Sequence, residues 1–75
     1  MDLTRGEFSQ FNLKSRVNLL KQRGILLASK IINTVYEIRL FMIYGFYVEV
    51  FYNCLKRDII KAELVISKNW QSLYL

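Results

Sequence analysis

The sequence predicts an α+β fold: an N-terminal helix preceded by a short helical turn, a four-stranded antiparallel β-meander, and a short C-terminal helical turn. Three observations carry this. Helix caps and 3.6-residue spacing of apolar positions are confined to the segment before Ile25. From Ile25 onward the period falls to two and β-branched and aromatic residues dominate, which is the pattern of strands. The chain has 75 residues, 53% of them hydrophobic, with no proline, no solenoid-length repeat and no Gly/Ser-rich linker, so residues 1–75 form a single domain with a small core.

Thr4-Arg5-Gly6-Glu7 fits the capping box, in which a threonine hydroxyl and a glutamate carboxylate each satisfy a free amide at a helix start. A short helix over Arg5 to Gln10 follows, weakened by Gly6. Asn12 is a second N-cap, for a helix over Leu13 to Arg23 that Gly24 ends in the left-handed C′ position. Leu13, Val17 and Leu20 make its apolar stripe. Lys14 and Lys21 border the stripe on one flank, and Arg16 and Arg23 on the other, as charged heads reaching water from a packed helix.

Four strands are expected, over about residues 25–32, 35–42, 46–52 and 58–66. In the second, Tyr36, Ile38, Leu40 and Met42 form the core face; in the third, Phe46, Val48, Val50 and Tyr52 do. A three-residue loop, Ile43-Tyr44-Gly45, with Gly45 at positive φ, would match these two faces and pair Met42 with Phe46. Arg39 then falls opposite Glu49. Pairing Val50 with Ile60 adds Lys61 on the other side of Glu49, giving a charge ladder across three strands, and a turn at Asn33-Thr34 sets Lys30 opposite Glu37 and turns Ile25, Leu27 and Ile31 inward. Ser67 caps the C-terminal turn, where Trp70, Leu73 and Tyr74 share one face.

Composition excludes several chemistries. A single cysteine, Cys54, rules out an intrachain disulfide framework, and the lack of histidine rules out a Cys/His zinc site within one chain. No glycine-rich phosphate loop and no metal-ligand spacing occurs, so no cofactor, metal or small-molecule substrate is expected. The first fifteen residues lack the apolar core of a signal peptide. The longest apolar run, Leu40 to Val48, is about half the ~20 residues of a spanning helix. A cytoplasmic protein without membrane contact is the expectation. Of the groups that could act as acid, base or nucleophile, Glu37 and Glu49 have basic cross-strand partners in this register and Glu63 lies beside Tyr47. Asp58 sits in a turn, and Cys54 is read as an incidental loop residue. The expectation is a non-enzyme with no catalytic residues.

The segment GFYVEVFYN, together with Gly24, Leu27, Ala28, Ser29, Lys30, Tyr36, Ile38 and Leu40, resembles a family of short uncharacterised bacterial α+β proteins with a glycine-Phe-aromatic-Val-Glu-Val-aromatic-Tyr-Asn/Asp hairpin. The resemblance covers most of the chain and departs at Leu73, where that family has proline. It implies a helix-plus-meander fold. It implies no catalytic or binding residues.

Two function classes remain. In the expected register the Glu49 face also displays Leu26, Phe41, Tyr47, Phe51 and Val65, more apolar area than a monomer leaves in water. The leading expectation is therefore a small protein-interaction module, a homodimer or the binder of a partner protein, using those five residues. The alternative is a nucleic-acid-binding accessory protein. Net charge is +5, and Lys14, Lys21 and Arg23 on the basic helix would contact phosphates, with Tyr47 and Phe51 as stacking aromatics on the exposed sheet face.

Overall fold

Two helices cover one face of a four-stranded antiparallel sheet whose strands lie side by side in chain order. The computed structural model describes residues 3–65: α1 over Arg5–Ser9, α2 over Leu13–Arg23, β1 over Ile25–Ile31, β2 over Tyr36–Ile43, β3 over Phe46–Asn53 and β4 over Asp58–Leu64. The C-terminal turn expected around Ser67, Trp70, Leu73 and Tyr74 lies outside the described residues.

Both helix starts follow from local chemistry. The Thr4 hydroxyl accepts from the Glu7 amide and the Glu7 carboxylate accepts from the Thr4 amide, each at 3.1 Å. Asn12 Oδ1 accepts from the Ser15 amide at 2.8 Å. The end of α2 differs from expectation. Gly24 has φ −75° and ψ 147°, an extended conformation open to any residue. Glycine is needed there for space, because a Cβ would stand 2.6 Å from the Leu20 carbonyl oxygen.

A five-residue helix is not stable alone. α1 is held by Phe8, which is fully buried and meets Phe46 edge to face at 5.6 Å. Around this pair the core gathers Leu20, Ile43, Val48, Val50 and Ala62. Of the stripe expected on α2, Leu20 is buried and Val17 half-buried, while Leu13 is exposed. Arg16 is no flanking charge. Its Nη1 donates to the Ala62 carbonyl and its Nη2 to the Ser9 carbonyl, both at 2.7 Å, with the guanidinium 5.3 Å from the centre of the Phe8 ring.

The strand register corrects the sequence reading. β2 and β3 are joined by a two-residue turn, Tyr44-Gly45, with φ +49° and +81°, the signature of a type I′ hairpin. Gly45 has the expected positive φ, but Ile43 pairs with Phe46 and Met42 with Tyr47. Every β2 side chain is thereby turned over relative to the expected pairing. The physical reason is that β2 is apolar on both parities. Ile43 buries against Phe46 on the helix side, while Leu40 is fully buried on the other side, so alternation alone does not choose a face.

Three rows cross the helix-bearing face: Leu26, Phe41, Val48 and Leu64; Ser29, Arg39, Val50 and Ala62; Ile31, Glu37, Tyr52 and Ile59. Two full rows cross the opposite face: Ala28, Leu40, Glu49 and Glu63; Lys30, Ile38, Phe51 and Lys61. The expected ladder through Arg39, Glu49 and Lys61 is absent. Arg39 instead bonds Glu37, two residues along its own strand and so on the same face, and its guanidinium lies 4.7 Å from the centre of the Tyr52 ring. Lys61 lies opposite Phe51 with its ammonium 4.4 Å from that ring's centre.

Bulges and asparagine turns account for the other shifts. Asn33 Oδ1 accepts from the Val35 and Tyr36 amides, making a longer β1–β2 loop than the two-residue turn expected. With a bulge between Leu26 and Ala28, Lys30 then faces Ile38, not Glu37. Ile25 pairs with Met42 on the face away from the helices, while Leu27 and Ile31, the latter on the helix-bearing face, are exposed, so none of the three is buried as expected. Asn53 Oδ1 accepts from the Leu55 and Lys56 amides and opens the β3–β4 loop. A bulge after Phe51 then sets Val50 opposite Ala62.

Candidate interaction surfaces

Exposed apolar side chains concentrate on one edge of the sheet. Ile25, Leu26, Leu27 and Ile31 of β1, with Ile32 just beyond it, are between 43% and 64% exposed. Among the described residues no strand lies beyond β1, so its outer backbone edge is where the sheet stops. The opposite edge is different. There Arg16 reaches the Ala62 carbonyl of β4, and α2 and α1 both pack alongside. An unprotected edge strand is a template for pairing with another chain, which proteins suppress with lysine, bulges or covering elements. β1 has one lysine, Lys30, and one bulge, set against five large apolar groups in and beside it.

The five residues expected to share an interface fall on both sides of the sheet. Leu26 pairs with Phe41 on the helix-bearing face, where Phe41 packs against the core. Tyr47 and Phe51 face away from the helices. Val65 continues that side, donating its amide to the Tyr47 carbonyl. Only Leu26 is exposed; Phe41, Tyr47, Phe51 and Val65 are half-buried. The exposed apolar side chains of the β1 edge are a different set, with only Leu26 in common. Sequence reasoning missed this because it turned Ile25, Leu27 and Ile31 inward. The consecutive apolar residues Ile25, Leu26 and Leu27, which occupy both faces of a strand and do not alternate with polar ones, were the signal available.

Lys14, Lys21 and Arg23 are all exposed on α2. Lys14 and Lys21 border a groove between α2 and the sheet, joined there by Arg39 and Arg57, with Tyr52 and Ile59 from the sheet side and Asp58 as its acidic wall residue. Arg23 does not line the groove.

The carboxylates do not gather at one site, although Glu49 and Glu63 are cross-strand neighbours. Glu37 is held by Arg39 on the helix-bearing face, while Glu63 lies 3.7 Å from Lys61 on the other. Glu49 sits between Leu40 and Glu63 in its row, and Asp58 opens β4 opposite Asn53. Cys54 is half-buried, its amide bonded to the Val35 carbonyl. Among the described residues no three His, Cys, Asp or Glu side chains cluster as a metal site would require, and no helix is long and apolar enough to cross a membrane. No protein-family model, curated protein or solved structure matches the chain.

Proposed function

We propose that the protein is a small non-enzymatic interaction module that self-associates by pairing its β1 edge with β1 of a second copy. The observation that carries this is the 43% to 64% exposure of Ile25, Leu26, Leu27, Ile31 and Ile32 along one strand edge. Pairing two such edges about a twofold axis extends the sheet, satisfies outward-facing backbone groups and takes those side chains out of water at about 25 cal/mol per Å². A reducing, cytoplasmic setting goes with this reading, since the one cysteine has no partner within the chain.

Sedimentation equilibrium tests it. The wild-type chain should be a dimer at micromolar concentration. A Leu27→Lys, Ile31→Lys double variant should be a monomer with an unchanged circular dichroism spectrum, because both side chains are exposed. A wild-type monomer at high micromolar concentration, or a dimer that survives both lysines, sinks the reading.

A further inference from the structure

We infer that the groove between α2 and the sheet is a docking site for an acidic segment of a partner protein, anchored by one branched aliphatic side chain. The site is separate from the β1 edge and independent of self-association. Part of it is a pocket of about 100 Å³ lined by Val17, Leu20, Phe41, Val50 and Ile59 together with Lys21 and Arg39. It adjoins a wider, open groove of about 690 Å³ with which it shares Val17, Lys21, Arg39 and Ile59.

Size selects the anchor. A cavity of roughly 150 Å³ admits a benzene ring. The pocket here, at about 100 Å³, matches a leucine or isoleucine side chain more closely than an indole or a nucleobase. Charge selects what surrounds the anchor. Lys14 and Lys21 stand two helical turns apart on α2, roughly 10 Å along its axis, and Arg57 and Arg39 complete a cationic rim against the single carboxylate of Asp58. Arg39 is already held by Glu37, so Lys14, Lys21 and Arg57 are the cations left to receive carboxylates. Exposed charges of this kind steer and orient a partner, while the buried apolar anchor supplies affinity.

The same geometry argues against nucleic acid as the occupant. Single-strand binders offer open aromatic faces for base stacking. Tyr52, which lines the groove, has the Arg39 guanidinium over it, Phe41 in the smaller pocket is half-buried against the core, and Arg23 of the basic helix lies outside the groove. A phosphate chain would gain charge neutralisation but no stacking platform and no fit to the pocket.

The experiment is an NMR titration of the full chain with three labelled probes: the hexapeptide DELLED, its analogue DESSED, and oligothymidylate. DELLED should shift the resonances of Val17, Lys21 and Ile59 and bind at least about tenfold more tightly than DESSED. A Lys14→Ala, Lys21→Ala variant should lose about tenfold in affinity for DELLED and keep the wild-type oligomeric state, so failure here is distinguishable from failure of the β1 pairing. Three results overturn the inference: no saturable DELLED binding below about 1 mM, equal affinity for the leucine and serine peptides, or tighter binding of oligothymidylate than of DELLED.

Discussion

Arg16 of α2 donates from Nη1 to the carbonyl of Ala62 in β4, 46 positions along the chain, at 2.7 Å. The same guanidinium holds the Ser9 carbonyl at the end of α1 and lies over the Phe8 ring, so one side chain ties both helices to the sheet edge. Hydrogen bonds from a charged donor contribute about 1.5–3 kcal/mol each. Part of that is offset here, because Arg16 Nε is buried with no hydrogen-bond partner. Arg16→Ala should therefore destabilise the fold by about 2 kcal/mol in urea unfolding. Arg16→Lys should recover little of it, since one ammonium cannot reproduce the planar fork that reaches two carbonyls. A lysine variant as stable as wild type would mean that charge alone is what α2 needs at this position.

Phe8 is the second test of how α1 is held. Its ring is fully buried between Phe46 and Arg16, and truncating such a residue to alanine costs about 3–5 kcal/mol. For a chain of 75 residues that is most of the stability available. Phe8→Ala should thus be largely unfolded by circular dichroism at 25 °C, and Phe8→Leu folded with a lowered melting temperature. A stable Phe8→Ala protein would show that the sheet and α2 suffice without α1.

Gly24 and Gly45 should respond differently to the same substitutions. At Gly45 φ is +81° and nothing lies within 4 Å of an added Cβ, so the cost of a side chain is backbone strain alone. Asparagine tolerates that conformation and valine does not. Gly45→Asn should be nearly neutral and Gly45→Val should lose more than about 1 kcal/mol. At Gly24 the backbone is ordinary and the Leu20 carbonyl is in the way, so alanine, asparagine and valine should all destabilise. Denaturation midpoints for the five variants decide it, and a neutral Gly24→Ala would contradict the close approach.

The contrast between these glycines also shows what the sequence could and could not reveal. Features set within four residues were legible: the Thr4–Glu7 capping box, the Asn12 cap and the bounds of α2 at Leu13 and Arg23 all follow from local hydrogen bonding. The apolar parity of β3 was legible too, because Phe46, Val48 and Val50 alternate with Tyr47, Glu49 and Phe51, and it is the even set that buries. The parity of β2 was not. Its apolar residues occupy both faces, and the deciding turn requires a left-handed Tyr44, a conformation that the residue type argues against. Non-local contacts were equally hidden. Neither the burial of Phe8 under Phe46 nor the reach of Arg16 to Ala62 leaves a trace in periodicity, and the groove at α2 exists only once β2 has placed Arg39 and Phe41 on the helix side.

That placement of Arg39 can be measured directly. Arg39 lies opposite Val50 and bonds Glu37 on its own strand, whereas Glu49 projects from the other face between Leu40 and Glu63. Double-mutant cycles with alanine at each position isolate pairwise coupling when the residues touch and return close to zero when they do not. The Arg39–Glu37 cycle should give several tenths of a kcal/mol, up to about 1, because the pair is only partly shielded from water. The Arg39–Glu49 cycle should give less than about 0.3 kcal/mol, since the sheet separates the two side chains. Raising salt should weaken the first coupling and leave the second unchanged. If the two values were reversed, the hairpin would be paired one residue out of register, with Met42 facing Phe46, and Arg39 and Phe41 would leave the groove for the face that carries Tyr47 and Phe51.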